Sequence, residues 1–224
     1  MTRLLMLVEG QSEEIFVKQT LAPHLAEHGV FVQPIVLWTK RLGSGGGYRG
    51  GVSNWGQIQR SLLPLTYDTD AWITTLLDFY GLPEDVPGYH EALLPGDVRE
   101  RVSRLETRLE AEVGHPRFIP FLALHEFEAW VFCNGEVLAK HFDRADLAAK
   151  VTDAVAFAGE PELINHGKDT HPKARLQAMA AGYKETSDGP TLMEKIGIAA
   201  IRAACPHFAA WLTRLEALGA RPDV

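Results

Sequence analysis

The stretch RLLMLVEGQSEEIF, residues 3–16, decides the fold. Its first six residues form a short, almost continuous apolar run, which is typical of a strand covered on both faces. Ser12 then stands where a helix N-cap would, and acidic residues follow in the first turn, where they interact favourably with the helix dipole. We therefore predict a buried central strand that leads directly into a helix ending at Gly29.

The same alternation of strand and helix patterns continues through the first half of the chain. Further strands are predicted at residues 30–38, 71–77 and 117–124, and further helices at residues 55–65 and 97–113. Pro34 indicates an edge position or a bulge in the second strand, because proline cannot donate to a ladder. This alternation favours an α/β fold with a mainly parallel sheet flanked by helices.

Beyond Glu126 the pattern is helical. Helices are predicted at residues 126–132, 143–157, 172–184, 191–203 and 207–218, with no further strand. We expect an α/β domain over residues 1–132 and a C-terminal helical extension packed on it over residues 133–224.

The composition is that of an ordinary globular protein. Of the 224 residues, 46% are hydrophobic and 23% charged, and the formal net charge is −7. The longest apolar runs fall far short of the roughly 20 residues that span a bilayer, and the N-terminus does not resemble a signal peptide. Two distant cysteines suggest neither a disulfide framework nor a zinc finger, so we expect a cytoplasmic protein.

Acidic residues follow three of the predicted strands. Glu9 follows the first, Asp78 the third, and Glu126 and Glu128 the fourth. Ligands of open parallel sheets collect at the carboxyl ends of the strands, and magnesium binds to oxygen ligands, often using only one or two carboxylates. A cation also relieves the repulsion between clustered carboxylates. The sequence therefore predicts a site for Mg²⁺ or Mn²⁺, for which Glu9 and Asp78 could suffice.

Each acid also has a purely structural interpretation. Glu9 could be a polar cap before the helix, Asp78 a turn former, and Glu13 a partner of the helix dipole instead of a metal ligand. Glu126 and Glu128 would point the same way in an extended segment. On a helix they would diverge by about 200°, so that only one could face the metal.

Three segments carry a resemblance to a known family: VEGQSEE at 8–14, LLDFYGLP at 76–83 and HEFEAW at 125–130. They resemble the DUF4276 family of bacterial proteins, and PELIN at 161–165, HPKARL at 171–176 and AIRAACPHFAAWL at 200–212 resemble its helical half. That family is similar to the Toprim domains of primases, topoisomerases and OLD-type nucleases. The resemblance implies a Toprim-like sheet and magnesium-dependent phosphodiester chemistry.

The resemblance also implies roles for particular residues. Toprim domains bind magnesium through a glutamate after the first strand, matched by Glu9, and an Asp-x-Asp pair after a later strand. Asp78 matches the first aspartate, but Tyr80 replaces the second, so Glu126 or Glu128 would supply the missing carboxylate. Glu9 would then act as a ligand or a general acid-base.

Phosphate contacts are predicted for basic residues in two segments. Lys173, Arg175 and Lys168 lie in or near the HPKARL segment, and Lys40, Arg41 and Arg49 flank or lie in a glycine-rich loop. Residues 45–50 of that loop formally spell G-x-G-x-x-G. A dinucleotide site is not expected there, because the loop does not turn from the first strand into a helix.

Two hypotheses follow. The first is a Toprim-like, metal-dependent nuclease, acting in bacterial defence or DNA processing with a separate ATPase partner, as the similarity to OLD nucleases implies. The second is a non-catalytic Toprim-like module that binds a partner protein or nucleic acid. It is motivated by Tyr80 and by a negative net charge, which disfavours passive binding to phosphates. The helical half, with Phe208, Trp211 and Leu212 at helical spacing, would then matter more, although we expect these residues to be core.

Overall fold

The computed structural model describes residues 1–37, 52–165 and 167–220. Within these ranges five strands form one mainly parallel sheet: β1 (Thr2–Val8), β2 (Val30–Val36), β3 (Trp72–Asp78), β4 (Phe118–Ile119) and β5 (Leu122–Ala123). Their order is β2-β1-β3-β4, with β5 also on β3, and every pairing is parallel. The predicted α/β fold is therefore confirmed, and so is the edge position of the strand that contains Pro34.

Helices cover the sheet and form the C-terminal half. They are α1 (Gln11–Phe16), α2 (Ala22–Glu27), α3 (Trp55–Thr66), α4 (Tyr89–Ala92), α5 (Val98–Val113), α6 (Gly135–Phe142), α7 (Asp146–Ala158), α8 (Pro172–Met179), α9 (Glu185–Ile196), α10 (Ile198–Ala204) and α11 (Pro206–Ala217). None of the helices in the described ranges is long and apolar enough to cross a membrane.

The predicted first helix and the predicted fourth strand are both interrupted at a proline. A π-helical turn, Val17–Leu21, separates α1 from α2. It lies just before Pro23, which has no N–H for an α-helical bond. Pro120 likewise divides the predicted strand 117–124 into β4 and β5. The buried hydroxyls of Thr74 and Thr75 bridge this break by donating to the carbonyls of Ile119 and Phe121.

Three predicted helices of the second half also differ from the structure. Residues 127–133 form a 3-10 helix instead of an α-helix. The predicted helix 191–203 is divided at Gly197, whose positive φ of 81° ends α9 before α10 begins. The predicted helix 172–184 ends early, at Met179. Helix α6 was not predicted.

One buried cluster runs through both halves of the chain. It contains Leu4 and Met6 of β1 together with Phe208, Trp211 and Leu212 of α11. Trp211 is also bonded through its indole N–H to the Thr74 hydroxyl, at 3.0 Å. Phe208, Trp211 and Leu212 are therefore core, as expected from their spacing. The division at residues 132 and 133 stays a prediction.

Candidate active site

Glu9 and Asp78 lie side by side where two paired strands end. Val8 pairs with Leu76 in the parallel ladder, so Glu9 directly follows β1 while Asp78 is the last residue of β3. A Cβ atom built on Gly81 would lie 3.8 Å from Oε1 of Glu9. The loop after β3 therefore passes close to the Glu9 carboxylate, at ordinary van der Waals distance.

Glu126 and Glu128 reach the same edge from the segment after β5. Glu126 is extended, with φ −142° and ψ 149°, and Glu128 lies in the first turn of the 3-10 helix. Both are buried. The backbone N–H of Phe127, between them, donates to Oδ1 of Asp78 at 2.9 Å. The segment is neither a strand, in which the two glutamates would point the same way, nor an α-helix, on which they would diverge by about 200°. Neither predicted arrangement of Glu126 and Glu128 therefore applies.

Glu13 enters the site from the start of α1. Its Oε2 accepts a hydrogen bond from the backbone N–H of Gly10 at 2.9 Å, which forms half of a capping box. The side chain is nevertheless buried, only 7% exposed. Glu13 therefore caps its helix while adding a fifth carboxyl group to the edge. Glu9, Glu13, Asp78, Glu126 and Glu128 are called the acid cluster below.

Burial and mutual repulsion shift the acidity of the cluster. Burial raises the pKa of Glu9, although a hydrogen bond with the backbone of Asp78 partly offsets the rise. Burial and then the charge of Glu9 raise the pKa of Glu13 to about 7. The pKa of Asp78 lies well above its usual value, chiefly through burial and then through the charges of Glu9 and Glu13. The pKa of Glu128 is raised in the same way, by burial and by Glu126.

Helix α8 brings a cation and a histidine to these acids. Oε2 of Glu126 accepts from the backbone N–H of Lys173 at 3.0 Å and lies 2.8 Å from Nδ1 of His171. The Lys173 ammonium pairs with Glu185 at 3.1 Å. Burial acts to lower the pKa of Lys173, but the charges of Glu128 and Glu185 outweigh it and raise the pKa, so Lys173 stays protonated.

Sequence comparison identifies the family. A domain of unknown function, DUF4276, matches residues 8–216. The chain belongs to the DUF4276 family. No functionally curated protein matches it. One similar solved structure is the C-terminal region of the Xanthomonas campestris pv. campestris OLD protein, at 17% identity, with 95% of this chain and 97% of that chain covered and a TM-score of 0.32.

In this DUF4276 chain, none of the other predicted phosphate ligands that the structure describes has a contact with the acid cluster like that of Lys173. Arg175 is half-buried and its Nε donates to the carbonyl of Thr170 at 2.6 Å, so it supports the turn before α8. Lys168 is exposed in that turn. Lys40, Arg41 and Arg49, with the glycine-rich loop, lie outside the described residues.

Three residues of the site were missed from the sequence. His171 is the N-cap residue of α8, and Tyr80 stacks on it with ring centroids 5.2 Å apart. Glu185, in the first turn of α9, helps to raise the pKa values of Glu13 and Glu128. Tyr183 is buried, and burial followed by the charge of Glu128 raises its pKa. Their local patterns are those of ordinary caps and turns, so only the tertiary fold connects them with the acid cluster.

Proposed function

We propose that this protein carries out magnesium- or manganese-dependent phosphodiester chemistry on nucleic acid, as a Toprim-like nuclease. The observation that carries this proposal is the acid cluster itself. Five carboxyl groups converge at the carboxyl edge of a parallel sheet, with Lys173 beside them. Burying several acids together lowers the stability of the fold, so such a group indicates a role other than stability. Perturbed pKa values also cluster at functional sites.

The donor set suits a hard cation. It consists of carboxylate oxygens, which Mg²⁺ prefers, and Mg²⁺ needs only one or two of them because it keeps several waters. Glu9 and Asp78 would hold the ion, Asp78 through the oxygen that does not accept from Phe127. Among the described residues, no three members of the acid cluster place one carboxylate oxygen each within 4.8 Å of one another. Water would therefore complete the coordination shell.

The surrounding side chains fit a nucleic-acid substrate. Lys173 supplies a permanent positive charge for a phosphate oxygen. Tyr80 is 42% exposed and stacks on His171, so it could contact a base of the substrate. A bound cation would polarise the phosphate and lower the pKa of an attacking water. Glu9 would bind the cation or transfer the proton, and Lys173 would orient the phosphate.

Biological context rests on the resemblance alone. The proposal includes a separate ATPase partner and a role in bacterial defence or DNA processing, because OLD-type nucleases combine nuclease and ATPase activities. Cytoplasmic location belongs to the same proposal.

Calorimetry and a nicking assay test the proposal together. Mg²⁺ and Mn²⁺ are titrated into the wild type, the Glu9→Gln/Asp78→Asn double variant and Asp153→Asn, a control at an exposed acid of α7. The same proteins are incubated with supercoiled plasmid and with single-stranded DNA and RNA. We expect metal binding and cleavage in the wild type and the control, and neither in the double variant.

Two results would contradict the nuclease. Cleavage that survives in the double variant would mean that the activity comes from elsewhere or from a contaminant. Nucleic-acid binding without metal binding or cleavage in any of the proteins would favour the non-catalytic module.

A further inference from the structure

A second group of metal-ligating side chains lies far from the acid cluster. His24 of α2 and His28, which directly follows that helix, are four residues apart and so face the same side. Nε2 of His24 lies 2.7 Å from Oε1 of Glu216 on α11, and Nε2 of His28 lies 3.7 Å from the same oxygen. Among the described residues, this is the one group of three such ligands whose atoms all lie within 4.8 Å of one another.

These separations are close to those of a zinc site. Tetrahedral zinc binds nitrogen and oxygen ligands at about 2.0–2.1 Å, which places neighbouring ligand atoms about 3.3 Å apart. The contact between His24 and Glu216 would have to open by several tenths of an ångström, and that between His28 and Glu216 would have to close by a similar amount. Small side-chain rotations achieve both.

The backbone holds the two ligand-bearing segments in place. Gly219 approaches His28 so closely that a Cβ on it would lie 1.7 Å from the His28 carbonyl oxygen. Thr2 joins the same junction, because its hydroxyl donates to the Leu218 carbonyl at 2.9 Å and its N–H donates to the Gly29 carbonyl at 3.1 Å. Little ordering would therefore be needed for metal binding.

Charge and ligand type indicate which ion would bind. Imidazole nitrogens favour zinc, copper or nickel over magnesium. The Arg202 guanidinium also bonds Oε1 of Glu216, at 2.8 Å, and would have to move to the second carboxylate oxygen. His28 is 42% exposed in its side chain, so water can reach the fourth coordination position.

We propose that His24, His28 and Glu216 form a second metal site, specific for a zinc-type ion, which ties α2 to α11. Thr2, at the start of β1, lies next to the proposed metal site, and Val8, at the end of β1, precedes Glu9 of the acid cluster. The two sites are therefore separated by about the length of β1, roughly 20 Å. The ion at this site would stabilise the junction of the chain's two ends and take no part in phosphodiester chemistry.

The test uses tag-free full-length protein and Zn²⁺ or Co²⁺ alone. The wild type, His28→Gln and His90→Gln are compared, because His90 is an exposed histidine outside the group. Cobalt reports its ligands through visible d–d absorption, while calorimetry gives the zinc affinity and thermal unfolding the stability. Glu9→Gln/Asp78→Asn is included to remove binding at the acid cluster.

The acid-cluster variant should bind one ion, show tetrahedral cobalt absorption and gain thermal stability with zinc. The wild type and His90→Gln should show the same absorption and the same gain. Replacing an outer-shell partner of a metal typically costs about 10- to 100-fold in affinity, so loss of a direct ligand in His28→Gln should cost at least that much. The His28 side chain lies 3.7 Å from Glu216 and its ring centroid 5.1 Å from that of His24, and circular dichroism would verify that the variant folds. Equal zinc affinities in His28→Gln and the wild type, or no binding in either, would overturn the proposal.

Discussion

Replacing Glu13 by glutamine should stabilise the metal-free protein at alkaline pH and leave its stability unchanged in acid. Burial and the charge of Glu9 raise the pKa of Glu13 from 4.5 to about 7. Between these two values the native state binds more protons than the unfolded chain. The free energy of unfolding therefore falls as the pH rises through this window, and the full penalty is present above the folded pKa.

The raised pKa sets the size of the effect. A rise from 4.5 to about 7 corresponds to about 3 kcal/mol when Glu13 is fully ionised. Glutamine carries no charge, but its amide oxygen can still accept the hydrogen bond from the Gly10 N–H, so this helix-capping bond persists. At pH 8.5 the variant should be about 2–3 kcal/mol more stable than the wild type, and at pH 4.5 the difference should vanish.

Urea unfolding from pH 4.5 to 8.5 in EDTA measures this difference. Glu14→Gln is the matched control, since Glu14 lies in the same turn and pairs with Lys18 at 2.6 Å on the outer face. It should lose only about 0.3–0.5 kcal/mol. Added Mg²⁺ should reduce the stability that Glu13→Gln gains at alkaline pH, because a bound cation offsets the same repulsion between the carboxylates. A gain that does not change with pH would refute the argument that Glu13 is held among like charges.

Three further predictions concern the acid cluster, the buried core and the junction between α2 and α11. Magnesium affinity, measured by calorimetry, should rise as the pH rises through about 7, the pKa of Glu13, because this acid and the neighbouring Glu9 and Asp78, whose pKa values are also raised, must lose protons before the cluster binds the ion. Thr74→Val should cost about 2–4 kcal/mol in urea unfolding, since it leaves the Trp211 indole N–H and the Ile119 carbonyl without their buried partner. Gly219→Ala should cost about 1–3 kcal/mol in the same assay, because its Cβ would overlap the His28 carbonyl.

Local sequence patterns were sufficient for the sheet. The apolar run of β1 is buried throughout from Leu4 to Val8, as a central strand requires. Pro34 correctly indicated the edge strand. The proline-containing segments were harder, because how a chain passes a proline depends on its neighbours. The buried hydroxyls of Thr74 and Thr75 bridge the break at Pro120, and no pattern within residues 117–124 contains that information.

Four of the five acids could be named from the sequence because they lie at or after strand ends, and parallel strands end at one edge; Glu13 lies in the first turn of α1. Their partners could not. His171 is 45 residues from the Glu126 carboxylate that it contacts, and Glu185 adds its charge from the start of another helix. The 3-10 helix after β5 could not be predicted from the sequence either. With this conformation, the charges of both Glu126 and Glu128 raise the pKa of Asp78.

The acid cluster depends on both halves of the chain. Its carboxylates come from residues 9–128, whereas Lys173, which carries the compensating positive charge, comes from α8. Helix α9, which bears Glu185, packs against α1 and against the 3-10 helix. Without the helical half, Glu126 would lose its bonds to His171 and to the Lys173 backbone. The repulsion among the acids would then lack its protein counter-charge, so the sheet alone could not hold this cluster in the same form.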